Sequence, residues 1–292
     1  MLNAAVATAA VPLAGCAGLG RTPAALQWQH LLADERGFSR APVLLSGQQE
    51  AILIDGGFAL SDGRAVAAAI QASGKTLSTI YVSQSDPDYY FSLAPIRAAF
   101  PQVRVLAASD TLNAIRANVQ HKIETWSPLL KDNGPQKLSD IVFPEAYDAA
   151  SLNLEGHAID IVTAQDMENR RYLWVPSLQA VMGGVLIVSG LHVWTADNAT
   201  PASRAAWVKN LEAIAARQPK LVIPGHMSGQ GALDISAVHY TREYLLAFEV
   251  ELGRATDSQA LIAAMTRRYP NVGGLDSLTL GAKVAKGEMK WG

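Results

Sequence analysis

The sequence is poor in cysteine, histidine and charge. Its 292 residues include one cysteine and six histidines; 17% are Asp, Glu, Lys or Arg, and the net charge is −2. One cysteine excludes an internal disulfide and a cysteine-rich zinc site. The near-neutral balance argues against nucleic acid as a partner, because phosphate binding needs a clustered basic excess. After the first twenty residues, no stretch is long and apolar enough to span a membrane. The 49% of hydrophobic residues suffice for a sizeable core, in one large domain or two small ones.

The single cysteine lies in an informative place. Residues 13–16 read Leu-Ala-Gly-Cys and follow a short apolar run. This pattern resembles a bacterial lipobox, in which the leader is cleaved before the cysteine and the cysteine is lipidated. Residues 1–3 lack the usual Lys or Arg, and the alternative is a plain secretory leader or a disordered Ala-rich tail. The resemblance implies an exported, periplasmic lipoprotein that Cys16 tethers to a membrane surface.

The order of predicted elements indicates the architecture. We expect a leader at residues 1–16, a tether at 17–40, and one domain at 41–292 with a helical extension at its C-terminal end. Strands and helices alternate through the first half, from a strand at Val43–Leu45 to a helix that begins near Thr111. Successive strands follow from Ser151 to Ser189. Two half-domains, each a sheet backed by helices, fit this order, so the sequence predicts an α/β sandwich.

The strongest single motif is the segment at residues 84–89, Gln-Ser-Asp-Pro-Asp-Tyr, which follows an apolar strand and precedes a helix. A strand end holds such a loop in place, and its side chains project into a cleft. The segment resembles the His-x-His-x-Asp-His loop of metallo-β-lactamase-fold enzymes. On that alignment Gln84 and Asp86 replace the first two histidines. The metal-binding aspartate of the family loop is kept as Asp88, and Tyr89 replaces the last histidine.

Four further stretches resemble the same family. Residues 52–57 match an Asp-Gly turn that contains Asp55, and residues 222–226 keep the last ligand histidine as His226. The usual Gly-His turn falls at Gln165, and the usual bridging carboxylate falls at Val185. Together the matches cover roughly residues 41–230 and imply a four-layer αββα sandwich of the metallo-β-lactamase type. Residues 126–133 also resemble a block of an exported subgroup whose loop reads His-x-Asp-x-Asp-Tyr, which leaves Gln84 as the additional departure.

These departures argue against an ordinary dinuclear zinc site. Two zinc ions about 3.5–4 Å apart need a bridging group, which Val185 cannot provide. Asp86 and Asp88 repel each other unless a cation, a basic side chain or open solvent relieves them. One hypothesis is a single divalent metal, zinc or a harder cation, bound by Asp86, Asp88 and His226 with Gln84 as a weak ligand. The alternative is a metal-free loop with solvated aspartates.

The remaining candidates support this site. A metal bound by Asp88 would activate a water molecule as the nucleophile. Tyr89 would donate a hydrogen bond to a developing oxyanion. The alternative for Tyr89 is simple packing. We expect Asp55 to position the cleft rather than to react. The same role is expected of Gln165, which lies where the family has its Gly-His turn. His192 lies near the predicted cleft and has the alternative of a satisfied structural group.

Two functions follow from these residues. The first is a hydrolase-like protein with a mononuclear or absent metal site, acting on a small ester, lactone, amide or phosphoester. The second is an exported pseudoenzyme that binds a ligand or partner in the former cleft. The retained carboxylates and histidine favour the first, and the two glutamines and the valine favour the second. The substrate class rests on family resemblance, since one fold hosts many reactions.

Overall fold

The computed structural model of the protein describes residues 24–291. The leader and Cys16 lie outside the described residues, so the lipobox stays a prediction. Of the helices between residues 24 and 291, none combines the length and the hydropathy needed to cross a membrane.

The first sheet has six strands that pair in chain order: β1 (Gln27–His30), β2 (Val43–Ser46), β3 (Glu50–Ile54), β4 (Thr76–Tyr81), β5 (Arg104–Ala107) and β6 (Glu145–Ala146). Strands β1 to β3 are antiparallel, and β3 to β6 are parallel. The parallel strands are joined by the helices of this half: α1 (Leu60–Ser73), α2 (Leu93–Ala99) and α3 (Ser109–Leu130). Because side chains alternate along a strand, Leu44 and Leu53 pack on these helices while their neighbours face the other way.

The second half contains seven short strands: β7 (Ser151–Leu154), β8 (His157–Thr163), β9 (Arg171–Val175), β10 (Ala180–Met182), β11 (Val188–Ser189), β12 (Leu221–Val222) and β13 (His226–Met227). Five of them form a sheet in the order β12-β10-β9-β8-β7, and β11 pairs separately with β13. Four helices accompany them: α4 (Pro201–Ala216), α5 (Ile235–Arg254), α6 (Ser258–Arg268) and α7 (Leu275–Ala285). The predicted helical C-terminal third is thus present.

Three apolar clusters define the layers. One lies between the first sheet and α1 to α3, and another between the second sheet and α4 to α7. The third contains the remaining strand faces of both sheets, with Ile52 and Ile54 beside Leu173 and Val175. The molecule is therefore a four-layer αββα sandwich, as the sequence predicts. The ends of β3, β4 and β10 meet just before the loop at residues 84–89, where the Gly184 N–H contacts Asp55 and Ser83.

The fold begins earlier than the sequence predicts. Residues 27–30 fall in the predicted tether, but they form β1 at the edge of the first sheet. This strand lacks an alternating apolar pattern because most of its side chains are exposed. The last of the strands that the sequence predicts between Ser151 and Ser189, which we expect at residues 180–189, is also divided in two. Gly183 and Gly184 both have positive φ and turn the chain between β10 and β11.

Candidate functional site

The loop at residues 84–89 is held tightly after β4. Residues Pro87–Tyr89 form one turn of 3-10 helix, and the backbone N–H of Tyr89 donates to the carbonyl of Asp86. The carbonyl of Tyr89 accepts from the backbone N–H of Gly56 at 2.8 Å. The turn after β3 therefore fixes the loop, as the resemblance implies. Tyr89 is fully buried, and Asp88 is 8% exposed.

A buried arginine, Arg40, occupies the centre of this region. Backbone hydrogen bonds from Ala41 to Gly225 and from Met227 to Ser39 bring its segment against β13. Its Nε donates to the carbonyl of Asp88 at 3.2 Å, and its Nη1 donates to the carbonyl of Gly225 at 2.5 Å. Arg40 is completely buried, so its charge depends on these protein partners.

Two carboxyl groups and an aromatic ring also surround the Arg40 guanidinium. Nη2 lies 3.4 Å from Asp55 Oδ2, and Nε lies 3.7 Å from Asp88 Oδ2. The guanidinium carbon lies 3.7 Å from the centre of the Tyr89 ring, in a cation–π arrangement. Burial alone would lower the pKa of Arg40, but its contacts with Tyr89, Asp55 and Asp88 raise that pKa. Arg40 is therefore a permanent cation inside the site.

Asp55 forms the floor beneath Arg40. It has a left-handed backbone conformation with φ of +63°, which turns the chain at the end of β3. Its carboxylate accepts from the backbone N–H of Ser83 at 2.7 Å and from the Ser83 hydroxyl at 2.8 Å. The backbone N–H of Gly184 donates to it at 3.3 Å. Burial raises the pKa of Asp55, and Arg40 and these donors oppose the rise. Asp55 thus connects three separate segments of the chain, while its role in positioning the cleft stays a prediction.

Asp88 and His226 form a pair on the cavity side of Arg40. His226 Nδ1 lies 2.8 Å from the carbonyl of Phe38, so Nδ1 carries the proton and Nε2 keeps its lone pair. Nε2 lies 3.3 Å from Asp88 Oδ2. Burial lowers the pKa of His226 to about 3 and raises the pKa of Asp88 to about 7. Both shifts favour the uncharged pair, in which a carboxylic acid donates to a neutral imidazole.

Asp86 has different partners. Gln84 Nε2 donates to Asp86 Oδ2 at 2.7 Å, and Arg170 Nη1 lies 3.7 Å from the same oxygen. Arg170 Nη2 lies 3.8 Å from Asp197 Oδ2, so this arginine faces two carboxylates. Burial and the Asp86 charge raise the pKa of Asp197. The two loop aspartates are therefore relieved by different basic side chains, one of the alternatives that their spacing leaves open.

An open cavity of about 470 Å³ lies over the loop. Four loop residues line it, together with both histidines that the sequence singles out. The remaining wall is rich in aromatic side chains. The lining residues are Glu35, Phe38, Ser39, Phe58, Asp86, Pro87, Asp88, Tyr89, Lys122, Trp126, Val185, Val188, Leu191, His192, Trp194, Asp197, Trp207, His226, Gly274, Leu275, Asp276, Ser277 and Trp291.

One wall of the cavity is a corner made by Asp197 and two indole rings. Trp194 Nε1 donates to one oxygen of Asp197 at 3.0 Å, and Trp291 Nε1 donates to the other at 2.8 Å. The two rings meet edge to face with centroids 5.4 Å apart. Lys122 Nζ lies 5.8 Å from the centre of the Trp291 ring. Residues far apart in the chain, from α3 to the C-terminal end, therefore build this wall.

Two predicted supporting residues are placed differently from each other. His192 lines the cavity, and its Nδ1 lies 2.9 Å from the Tyr244 hydroxyl. This contact fits a satisfied structural group, and burial lowers its pKa. Gln165 is exposed and does not line the cavity. Asn210 instead holds the backbone of Gln165, through a hydrogen bond to its carbonyl and another from its N–H.

The architecture is similar to that of several solved structures. A metallo-β-lactamase family protein from Thermus thermophilus superposes with a TM-score of 0.60 at 14% identity, over 90% of this chain and 93% of that chain. A metallo-β-lactamase from Erythrobacter litoralis superposes with a TM-score of 0.51 at 14% identity, over 76% of this chain and 92% of that chain. The chain has the metallo-β-lactamase fold. Its sequence matches no protein-family model and shows no significant similarity to a curated protein.

The metallo-β-lactamase fold implies a divalent metal at the loop, and the donor set of this chain does not fit one. Among residues 24–291, no group of three or more His, Cys, Asp or Glu side chains is placed to hold a metal ion. Asp88 and His226 face each other, whereas Asp86 faces Gln84 and Arg170. Arg40 already supplies a positive charge to Asp88. In this arrangement the four predicted ligands do not converge on one point.

Three important residues escape sequence reasoning. Arg40 falls in the predicted tether, and Arg170 and Asp197 have no motif. One signal points toward them: two aspartates two residues apart in a loop require a counter-charge. The sequence contains 24 lysines and arginines, so this requirement alone does not identify which of them approach the loop.

Proposed function

We propose that the protein binds a small organic molecule in the cleft and that this binding needs no resident metal ion. One observation carries the proposal: the Arg40 guanidinium lies beside Asp55 and Asp88, directly under the open cavity. It provides the positive charge that a metal would otherwise provide there. The cavity volume of about 470 Å³ suits a small organic molecule.

Metal analysis of the purified protein tests the first half of this proposal. We expect less than stoichiometric metal in the parent protein, and the same amount after Asp88→Ala. One metal per chain in the parent, lost in Asp88→Ala, would instead support the single-metal hypothesis. Arg40→Lys is a useful second variant, because it keeps the positive charge and should also contain no stoichiometric metal.

A thermal-shift screen of small molecules, with and without chelator, tests the second half. A compound that binds the native state raises the unfolding temperature. We expect at least one compound to stabilise the protein equally in both conditions. Val185→Trp should abolish the shift, because Val185 lines the cavity and is only partly buried. Val250→Trp is the matched control, since Val250 is exposed on α5. Equal effects of the two variants would contradict binding in the cleft.

A second candidate function is hydrolysis without a metal. The observation that favours it is the pairing of His226 with Asp88 at the cavity wall. The bond from Nδ1 to the Phe38 carbonyl fixes the tautomer and leaves Nε2 as a base. In this candidate, the Asp88 carboxyl turns its proton from Nε2 to the leaving oxygen of an ester or lactone, and the freed Nε2 accepts the proton of the attacking water.

Activity on chromogenic esters, lactones, phosphodiesters and a β-lactam tests this candidate. We expect turnover that a chelator leaves unchanged and that His226→Ala and Asp88→Ala both abolish. Turnover abolished by the chelator would point to a metal and contradict both functions. Absence of turnover on the whole panel, together with a stabilising ligand, would leave binding alone.

We also infer an exported lipoprotein from the lipobox pattern. Lipidation of Cys16 would place the cleft near a membrane surface. Mass spectrometry of the mature N-terminus tests this: a lipidated cysteine is expected in the parent, and none in Cys16→Ser. A mature parent protein that keeps residues 1–15 would contradict it.

A further inference from the structure

The cavity wall has a strong imbalance of charge. Besides the Asp88 carboxyl of the uncharged pair, four carboxylates line the cavity, and they face one lysine: Glu35, Asp86, Asp197 and Asp276 against Lys122. Arg40 and Arg170 lie behind this wall, at 3.4–3.8 Å from their carboxylates, and do not line the cavity. A ligand entering the cavity therefore meets mainly negative charge, which attracts cations and repels anions.

The aromatic rings of the wall point to the same ligand class. Trp194 and Trp291 both donate their indole N–H to Asp197, so the two rings are fixed at its sides. A carboxylate between aromatic rings binds a cation by charge and by cation–π attraction together. Phe38 and Trp126 line the same cavity and offer apolar surface for the rest of a ligand.

The protein itself places an ammonium group at this corner. Lys122 Nζ lies 5.8 Å from the centre of the Trp291 ring, within the range of a cation–π contact. Among the described residues, Lys122 forms no ion pair within 4.0 Å, although its charge opposes the rise in the pKa of Asp197. Within residues 24–291, the one ion pair of Asp197 is with Arg170 at 3.8 Å.

The Tyr89 hydroxyl is a second feature of this cavity; the buried hydroxyls of Tyr81 and Tyr90 also lack a partner, but those two residues do not line the cavity. Tyr89 lines the cavity and is fully buried. Its hydroxyl has no hydrogen-bond partner among residues 24–291. Buried hydroxyls are rarely left without a partner, because desolvation without a hydrogen bond costs free energy.

Resting on the proposed function, we infer that the ligand is an organic cation: an ammonium or guanidinium with an apolar group, whose charge binds at the corner of Asp197, Trp194 and Trp291. The charged group lies against the carboxylate and the two indoles. The apolar group packs on the aromatic side of the cavity. Neutral molecules of the same shape lose the charge interaction, and anions meet repulsion.

Isothermal titration calorimetry of the full chain with three probes of similar size tests this inference. The probes are 2-phenylethylammonium, 2-phenylethanol and 3-phenylpropanoate, which differ mainly in charge. We expect the ammonium to bind about tenfold tighter than the alcohol, with the carboxylate weakest. The affinity of the ammonium alone should fall as salt is added, because salt screens partly exposed charges.

Two variants with opposite expected effects sharpen the test. Asp197→Asn should weaken binding of the ammonium about tenfold and leave the alcohol unchanged. Lys122→Met should strengthen binding of the ammonium a few-fold, because it removes the competing cation. Asp160→Asn is the matched control: it has the same charge change, but Asp160 lies on β8 and does not line the cavity. If Asp197→Asn does not fold, the affinity of Lys122→Met for the ammonium, compared with that of the parent, tests the inference. Unchanged or weaker binding in Lys122→Met would then overturn it.

The outcomes separate this inference from the proposed function. The inference is overturned if the alcohol or the carboxylate binds best, and the proposed function then stands, because the cleft still binds a ligand. It is also overturned if none of the three probes binds at millimolar concentration. In that case the compound screen with Val185→Trp decides the proposed function by itself. Equal losses for ammonium and alcohol in Asp197→Asn would likewise overturn it.

Discussion

Two groups of charged residues lie side by side at the loop, and they are built differently. The inner cluster, Arg40 with Asp55 and Asp88, is almost completely buried and is held by short hydrogen bonds to backbone. The outer cluster, Asp86 with Arg170 and Asp197, is partly exposed, and its ion pairs are 3.7 and 3.8 Å long. The inner cluster has the features of a structural element, whereas the outer cluster has charge left for a ligand.

Replacement of Arg40 is expected to have the largest effect on stability. Arg40→Met leaves Asp55 buried without its cation and removes the hydrogen bonds of Arg40 to the carbonyls of Asp88 and Gly225, which should cost about 3–5 kcal/mol of unfolding free energy. Urea denaturation measures this cost. Arg36→Met is the control, because Arg36 is exposed and forms an exposed ion pair with Asp34; its cost should stay below about 1 kcal/mol. Similar costs for the two variants would show that the inner cluster does not stabilise the fold.

Adding a methyl group at Gly184 should lower the stability of the fold nearly as much, because the Gly184 backbone N–H contacts Asp55 of the inner cluster. A Cβ there would lie 1.9 Å from the carbonyl oxygen of Arg171, and φ is +72°. We expect Gly184→Ala to lower stability by roughly 3 kcal/mol or more. Gly74→Ala is matched in conformation, with φ of +67° and no atom within 4 Å of the added Cβ. It should cost only about 1 kcal/mol, and equal costs in thermal unfolding would contradict this explanation.

His192 gives a smaller effect that depends on pH. His192→Phe removes the hydrogen bond to Tyr244, which should cost about 1–2 kcal/mol at pH 8. Because burial lowers the pKa of His192 from 6.5, the folded state takes up its proton less readily than the unfolded chain. The stability of the parent should therefore fall as pH drops below 6.5, and that of His192→Phe should fall less. Unfolding curves from pH 8 to pH 5 measure the difference, and a constant or widening difference would refute the assignment.

Asp86 in the outer cluster should have the smallest effect. Its side chain is 26% exposed, and its charge adds to that of Asp197. Asp86→Asn keeps the shape of the side chain and should change stability by less than about 1 kcal/mol. Chemical denaturation of Asp86→Asn and Arg40→Met under the same conditions compares their unfolding free energies. A loss as large as that of Arg40→Met would mean that the inner and outer clusters do not differ in their contribution to the fold.

The sequence predicts the fold far better than the site. Strand ends and turn residues are local signals, so β2 and the start of α3 lie within two residues of their predicted places. The edge strand at residues 27–30 has no apolar alternation and is not predictable in this way. Among the candidate residues, Asp55, Asp86, Asp88, Tyr89, His192 and His226 come together, and Gln165 does not.

What the sequence determines by itself is a set of local facts: a strand ends before residue 84, two carboxylates follow, and His226 comes after a short strand. The partners of those carboxylates depend on the tertiary structure. Arg40 reaches Asp88 because its segment pairs with β13, nearly two hundred residues away in the chain. Pairing between distant strands leaves no periodic pattern in the residues that it brings together. The folded chain therefore decides that the Arg40 guanidinium and the His226 imidazole both face Asp88.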